Sequence, residues 1–577
     1  MAGARSIPEG QRQRRLAGLA PPLIPFLLWA AMLPWMGRLP ANDYYGIVAQ
    51  VADGDRFSAD PLRWLRVKSN EHSVVLPALA YATNLSLGDG DNRALSALAL
   101  VMLLSVSVAL ARLLPWPPGD ESRPRPVWAL LVALPVFTPA AAHSIVLGFS
   151  GTIWFMANLF AVVALGSLAR LAARPSAARA GAVLAAAYAC TLSYSTSLAL
   201  WAALLLGAWL FRLPRRFTVT LVAGSIPAVL YLTAMYTRPA HHPAPVLDDP
   251  LAIVRFTGVY LGGPLASNQV TAGALGIAGL LVAAAFARRW VGARTADGQA
   301  ALLPWLLLQV YVVGNAVGTA VARAGLGGAR SSRYASVAIL FWIALLVTGV
   351  APAIRRASRP SGPGRAVGLA LAASLVVATW TRGAPVLSEY LTAAARQPLA
   401  ELALVHGVND DGALAIVSPR PDEVWRLRNF LAARRAVPFD RAAVSAGARV
   451  TVVGEGRRVT ETTVRATDAV AVADGRALRL LLEPGPDVTA TARLAVVAEG
   501  GVCGEVRDTT APWPARSLRR GEADRRWEGY LAAASACRPL LLGTLTERGV
   551  VPLAELALGG DAASRCPPRG SPPSPPR

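Results

Sequence analysis

Runs of about twenty apolar residues recur along the first two-thirds of this chain, the length a helix needs to cross a hydrocarbon core about 30 Å thick. By that yardstick about eleven spans are expected. They lie near residues 16–37, 92–114, 127–142, 153–173, 180–196, 197–213, 217–236, 272–288, 301–322, 334–352 and 365–381, with soft boundaries where runs abut, as near Ser197. Composition agrees: 54% of the 577 residues are apolar and 16% are charged, too apolar a balance for an ordinary soluble protein of this size. The formal net charge of +22 would suit nucleic acid. The arginines, however, fall in short clusters between apolar runs with no continuous basic face, so no nucleic-acid partner is expected.

Arginine placement also gives an orientation, because Lys and Arg near span ends stay on the cytoplasmic side. Residues 1–15, with Arg5, Arg12, Arg14 and Arg15, read as a basic cytoplasmic N-terminus. The proline-rich run after them is longer than a signal-peptide core and reads as a retained first span, although an uncleaved signal anchor has the same pattern. With the N-terminus inside, the inner loops hold Arg123 and Arg125, then Arg170, Arg174 and Arg179, then Arg212, Arg215 and Arg216. The next two hold Arg288, Arg289 and Arg294, then Arg355, Arg356, Arg359 and Arg365. This requires residues 73–87, short and containing Pro77, to form a partly embedded helix within a first outer loop at 38–91.

An odd span count places everything after residue 382 outside the membrane. Alternation in RVTVVGEG, TDAVAVADG, ALRLLLEP and ARLAVVAEG reads as strands. Residues 383–564 are therefore expected to form a mainly β extracytoplasmic domain, with helices near PDEVWRLRNFLAARRA and WEGYLAAASA. Residues 565–577 form a low-complexity, Pro-rich tail expected to be disordered. Cys503 and Cys537 share that domain, where a disulfide is permitted but two free thiols are equally compatible.

Polar residues with chemical potential collect at the expected outer ends of the spans. In NDYYGIVAQV, Tyr44, Ile47, Val48 and Val51 fall on one helical face, so the segment reads as an interfacial helix with Asp43 as N-cap. In KSNEHSVVLP, Asn70 reads as a cap with Glu71 favoured by the helix dipole. Alternatively, Asp43 converges with Glu71 or His72 as a base and its orienting partner. Arg323, Arg330 and Arg333 stand on the outer side against the trend. Their charge calls for phosphate, lipid headgroups or the acids of the first loop. His143 and Asn158 lie in and beside the second outer loop. In the third, His241, His242, Asp248 and Asp249 are either metal ligands or solvated loop residues, with Asp249–Pro250 starting a helix. No Walker loop, dinucleotide fingerprint or HExxH is present, which argues against a nucleotide-driven pump or a zinc protease.

The segments NDYYGIV, SNEHSVVLPAL, GFSGTIWFMANLF and ARAGLGGARSSRYASVAILFW together resemble the GT-C class of integral-membrane glycosyltransferases, over roughly residues 16–382. The resemblance implies a GT-C-like α-helical polytopic membrane domain followed by the mainly β domain, in a multi-pass bacterial plasma-membrane protein with a cytoplasmic N-terminus. It implies a polyprenyl-phosphate sugar donor and a cell-envelope glycan or lipid acceptor, with membrane lipids as surroundings. Asp43 takes the general-base position, with Glu71 and His72 orienting it or the acceptor. Arg323, Arg330, Arg333 and Tyr334 hold the donor phosphate, with Tyr44, His143 and Asn158 as further substrate contacts. No cofactor or metal ligand is assigned, and Asn42 in place of a second acid leaves the need for a divalent cation open. The competing classes are a transporter or flippase of lipid-linked glycans, which would carry ionisable groups near the midplane and repeated halves, and a noncatalytic membrane scaffold.

Overall fold

The structure is a computed structural model. It describes residues 20–115, 125–239, 242, 244–292, 300–356, 363–440, 464–472, 477–482, 494–498, 501–509, 527–532, 540–546 and 549–558. Outside them lie the basic N-terminus, Arg123, His241, Arg294, Arg359, the expected strand RVTVVGEG, Cys537 and the Pro-rich tail; the side chain of Cys503 is likewise not described.

Helices dominate. In chain order the longer ones are α1 (Ala20–Ala30), α2 (Asp43–Val51), α3 (Val75–Leu87), α4 (Asn92–Leu113), α5 (Arg125–Val136), α6 (Gly148–Ala173), α7 (Ala177–Ser193) and α8 (Ser197–Leu210). Then follow α9 (Arg215–Met235), α10 (Pro250–Gly262), α11 (Gln269–Gly292), α12 (Leu303–Arg323), α13 (Ser332–Arg356), α14 (Pro363–His406) and α15 (Pro421–Ala433). Among the described residues, 8 helical segments are long and apolar enough to cross a membrane: α4, Pro126–Val146, α6, α9, Gln269–Trp290, Leu303–Leu326, Ser332–Val350 and Ala366–His406.

Three of the eleven expected spans form shorter helices. The run expected from residue 16 is described from Ala20, and α1 covers 11 residues. The abutting pair near Ser197 gives α7, of 17 residues, and α8, of 14. At about 1.5 Å per residue, these reach roughly 16, 25 and 21 Å, short of the core thickness of about 30 Å. For α7 and α8 the physical reason is a chain break at Tyr194, whose φ of −168° and ψ of 148° leave the helical region. The short helix expected within 73–87 is α3, and Asp249 does cap α10, accepting from the Ala252 N–H at 2.9 Å.

The described residues group into two compact units. The first comprises Met1–Pro34, Ser58–Thr83 and Arg93–Leu387, and the second Trp35–Phe57, Asn84–Asn92 and Ser388–Arg577. In the first, α10 and α11 pack as an antiparallel pair through small residues. A Cβ at Gly276 would stand 1.9 Å from the Gly258 carbonyl oxygen, and one at Gly262 1.9 Å from that of Ala272. Such backbone approach drives helix association in lipid, where no hydrophobic gradient acts between helices.

In the second unit α2 packs on α15 and buries Tyr44, Ile47, Val48 and Val51, so the expected apolar face is covered by protein. Asp43 is the first helical residue; Asn42, with φ 51°, stands at the cap position and makes no side-chain capping bond. The expected N-cap role of Asp43 is thereby corrected. Helix α14 runs through residue 383 to His406, and the two compact units divide within it at Leu387 and Ser388.

Beyond α15, seven strands close a barrel. They are β3 (Val464–Val472), β4 (Ala477–Leu482), β5 (Leu494–Ala498), β6 (Gly501–Asp508), β7 (Trp527–Ala532), β8 (Leu540–Thr546) and β9 (Gly549–Leu558), after a hairpin β1 (Lys68–Ser69) and β2 (His72–Ser73) in the first unit. The barrel order is β8-β9-β3-β4-β7-β6-β5, antiparallel except for β9 with β3. WEGYLA, expected as helix, is strand β7. It is paired on both sides, with Glu528 and Tyr530 alternating against Trp527 and Leu531; the two ladders override a helix-compatible sequence. Tyr530 donates to Asp410 at 2.8 Å, where Arg479 also binds at 3.2 Å, while Arg507 bridges Glu401 at 2.7 Å and Glu505 at 3.1 Å.

Two glycines give a matched stability test. Gly276→Leu is predicted to lower stability by about 1–3 kcal/mol, or to prevent folding, through overpacking at the α10–α11 crossing. Gly181→Ala in α7, where a Cβ meets nothing within 4 Å, is predicted to be neutral or to stabilise by up to about 1 kcal/mol. Thermal unfolding in detergent measures both.

Candidate functional site

The NEH segment forms a β-hairpin, not a helix start. Ser69 pairs with His72 and Lys68 with Ser73, leaving Asn70 and Glu71 as the two-residue turn. Asn70 takes φ 52°, a left-handed conformation that asparagine tolerates better than most residues. The expected capping roles of Asn70 and Glu71 are replaced by this turn. The hairpin is tied to α9 by Ser73 Oγ, 2.6 Å from the Tyr231 hydroxyl, which itself donates to the Leu65 carbonyl at 2.8 Å.

The turn delivers Glu71 into the interior of the first unit, where it is 6% exposed. Its Oε1 accepts from Arg323 Nη2 at 2.7 Å and lies 3.1 Å from His72 Nε2, while Oε2 is 3.4 Å from His242 Nδ1. Arg323 is the last residue of α12. Burial pushes the Glu71 carboxyl upward, but the hydrogen bond from His72 and the charges of His72 and Arg323 outweigh it and hold the group well below the usual carboxylate range. His72 moves down from 6.5 because burial opposes its charged form and outweighs the pull of Glu71; Arg323 and Arg333 push the same way as burial. A neutral His72 donating from Nε2 to Glu71 carries a lone pair on Nδ1, and that buried nitrogen has no hydrogen-bond partner among the described residues.

An aromatic row extends from this cluster. The His72 ring lies 4.1 Å from Tyr194, Tyr194 lies 4.6 Å from Trp154, Trp154 meets Tyr334 edge-on at 5.8 Å, and Tyr334 stacks on Tyr260 at 4.9 Å. Arg333 sits over the Tyr334 ring at 5.2 Å, and its buried Nε has no acceptor among the described residues. Two guanidinium groups thus act on His72 against one carboxylate.

The cluster closes one end of a cavity of about 550 Å³, a size typical of ligand sites. Its walls are mainly apolar, with Leu198, Ala199 and Ala202 from α8, Val229 and Leu232 from α9, and Gly314, Gly318 and Ala322 from α12, interspersed with Thr233, Asn315 and Thr319. Gly314, Gly318 and Ala322 recur every fourth residue and present one side-chain-poor face of α12, which makes the room. Gly318 meets nothing within 4 Å.

The sequence candidates therefore divide. Glu71, His72, Arg323 and Tyr334 line this cavity, and Arg333 covers Tyr334. Arg330 lies half-buried in the turn before α13, following Gly327 and Gly328, both at φ 72°. His143 is held by Ser150 Oγ at 3.0 Å from Nδ1. Asn158 donates to the Ser336 carbonyl and accepts from the Tyr311 hydroxyl, both at 3.3 Å, so it ties α6 to α12 and α13. Asp43 and Tyr44 belong to the second unit. There Asp43 accepts from Arg420 at 2.9 Å, Arg420 also holds Glu423 at 2.9 Å, and Tyr44 is fully buried, edge-on to Tyr45 at 5.7 Å.

Sequence reasoning does not single out Tyr194 and Trp154 as site residues, and it offers His242 only as a possible metal ligand or loop residue. The break in LSYSTS was the available signal for Tyr194; nothing in the spacing of His242 points to Glu71. Comparison with protein-family models, with curated proteins and with solved structures finds no match, so function rests on geometry.

Glu71→Gln is predicted to destabilise the protein by about 3–5 kcal/mol, because Arg323 is left buried without its counter-charge. Glu71→Gln combined with Arg323→Gln should recover part of that loss in the same unfolding assay. His72 has a depressed folded pKa, so its contribution to stability is present above 6.5 and is lost as pH falls below that value. The Glu71 contribution follows at lower pH, being present above 4.5 and lost as pH falls toward its own lowered value. Unfolding temperature should therefore decline first below about pH 6.5, and His72→Gln should lessen that first decline.

Proposed function

We propose that this protein is a GT-C-like glycosyltransferase of the bacterial plasma membrane. It moves a sugar from a polyprenyl-phosphate donor to a cell-envelope glycan or lipid acceptor on the outer face. The single observation that carries the proposal is the cavity's polarity: mainly apolar walls end at the buried Glu71–Arg323 pair, and a second guanidinium, that of the half-buried Arg333, sits over the lining residue Tyr334. An isoprenoid chain suits the walls. A phosphate suits the excess cation and the acceptor-free Nε of Arg333, and the Tyr194–Trp154–Tyr334 row offers faces on which a sugar ring stacks.

In this scheme Glu71 fixes the tautomer of His72, and His72 Nδ1 takes the proton of the acceptor hydroxyl as its oxygen attacks the anomeric carbon. The bond from that carbon to the phosphate oxygen breaks, and the polyprenyl phosphate leaves with its added negative charge facing the arginines. Asp43, engaged with Arg420, is the competing base assigned by the family resemblance.

A transfer assay in proteoliposomes, with labelled sugar on polyprenyl phosphate and envelope glycan as acceptor, tests the proposal. His72→Asn should cost about 10²–10⁴-fold in rate, the usual share of a general base, whereas Asp43→Asn should retain most activity. The reverse pattern returns the base role to Asp43. Gly318→Leu, whose Cβ enters open space and whose side chain narrows the cavity, should abolish transfer. Translocation of labelled lipid without a new glycosidic bond would replace the transferase with a flippase.

A further inference from the structure

A second cavity, of about 510 Å³, lies between α4 and α6 within the first unit. Leu104 and Val108 of α4 face Leu159 and Val163 of α6 across it, and Arg112 and Arg170 line its end. Both arginines stand in the last turns of their helices. The groove runs from Leu104 to Arg112 on one helix and from Leu159 to Arg170 on the other, roughly 12 and 16 Å at the rise of an α-helix. Half of a hydrocarbon core is about 15 Å, so the groove matches the depth of one leaflet.

Among the described residues its charge is uncompensated. No carboxylate lines the cavity, and among the described residues neither Arg112 nor Arg170 forms an ion pair. Both side chains are exposed. The helix C-terminal carbonyls favour cations here but leave guanidinium N–H groups available to a further acceptor. Basic pockets between membrane helices recognise anionic lipid headgroups in this way.

We infer that the α4–α6 groove is a binding site for an anionic phospholipid, with one acyl chain along the apolar walls and the headgroup phosphate between Arg112 and Arg170. A zwitterionic lipid brings its own ammonium and so gains less from the pair. This site is separate from the cavity at Glu71 and does not depend on the transferase proposal.

Native mass spectrometry of the full-length protein, offered equimolar phosphatidylglycerol and phosphatidylcholine, tests it. The expected preference for phosphatidylglycerol is about tenfold or more, from two arginines near a lipid phosphate. It should fall to near unity in Arg112→Gln/Arg170→Gln and persist in Arg112→Lys/Arg170→Lys. Should the glutamine variant fail to fold, Val163→Trp, which fills the groove from its exposed side, should equally lose retained phosphatidylglycerol. Equal retention of both lipids by the wild type would overturn the inference. So would an unchanged preference in the glutamine or tryptophan variant, or displacement of phosphatidylglycerol by millimolar inorganic phosphate.

Discussion

The contact between Glu71 and Arg323, 2.7 Å long and almost wholly removed from solvent, governs the site around it. Removing both charges from water costs several kcal/mol per ion, and the pair persists because the carboxylate also engages His72 and faces His242. The bond joins the hairpin turn at Asn70–Glu71 to the end of α12. Through His72 it orients the ring that begins the aromatic row, and through Arg323 it sets the polar end of a cavity whose walls come from α8, α9 and α12. The positions of the site's polar groups are set by one another.

What makes the arrangement chemically suggestive is its imbalance. A structural ion pair of equal charges would be satisfied by itself. Here Arg333 adds a second cation, and its Nε and His72 Nδ1 are buried without partners among the described residues. Buried polar groups left unsatisfied are costly, and proteins tend to retain them where a ligand completes the set. An anion accepts from the guanidinium and a hydroxyl donates to the imidazole, which is the pairing that transfer from a phosphate-linked sugar to an alcohol requires.

Much of the helical architecture was legible because hydrophobic length and periodicity are local properties. Eight segments emerge with the length and apolarity to cross a membrane, and the strands at 467–472, 477–482 and 494–498 follow the alternation visible in the sequence. The departures have non-local causes. WEGYLA is a strand because two neighbouring strands claim its hydrogen bonds. Glu71, His72 and Arg323 could each be singled out by residue type and position, but their meeting across 252 residues of sequence is a tertiary fact. His242 illustrates the limit most sharply: nothing in HHPAPVLDD indicates that one of its histidines faces Glu71.

Under the proposed function, the cavity behind Glu71 and Arg323 holds a lipid chain with its phosphate at the arginines. Photocrosslinking with a diazirine-bearing polyprenyl phosphate, followed by peptide mapping of the adducts, addresses it directly. Adducts concentrated on α8, α9 and the Gly314–Ala322 face of α12, and competed away by unlabelled polyprenyl phosphate, are predicted. Adducts absent from these helices, or unaffected by Arg323→Gln and Arg333→Gln together, would contradict it.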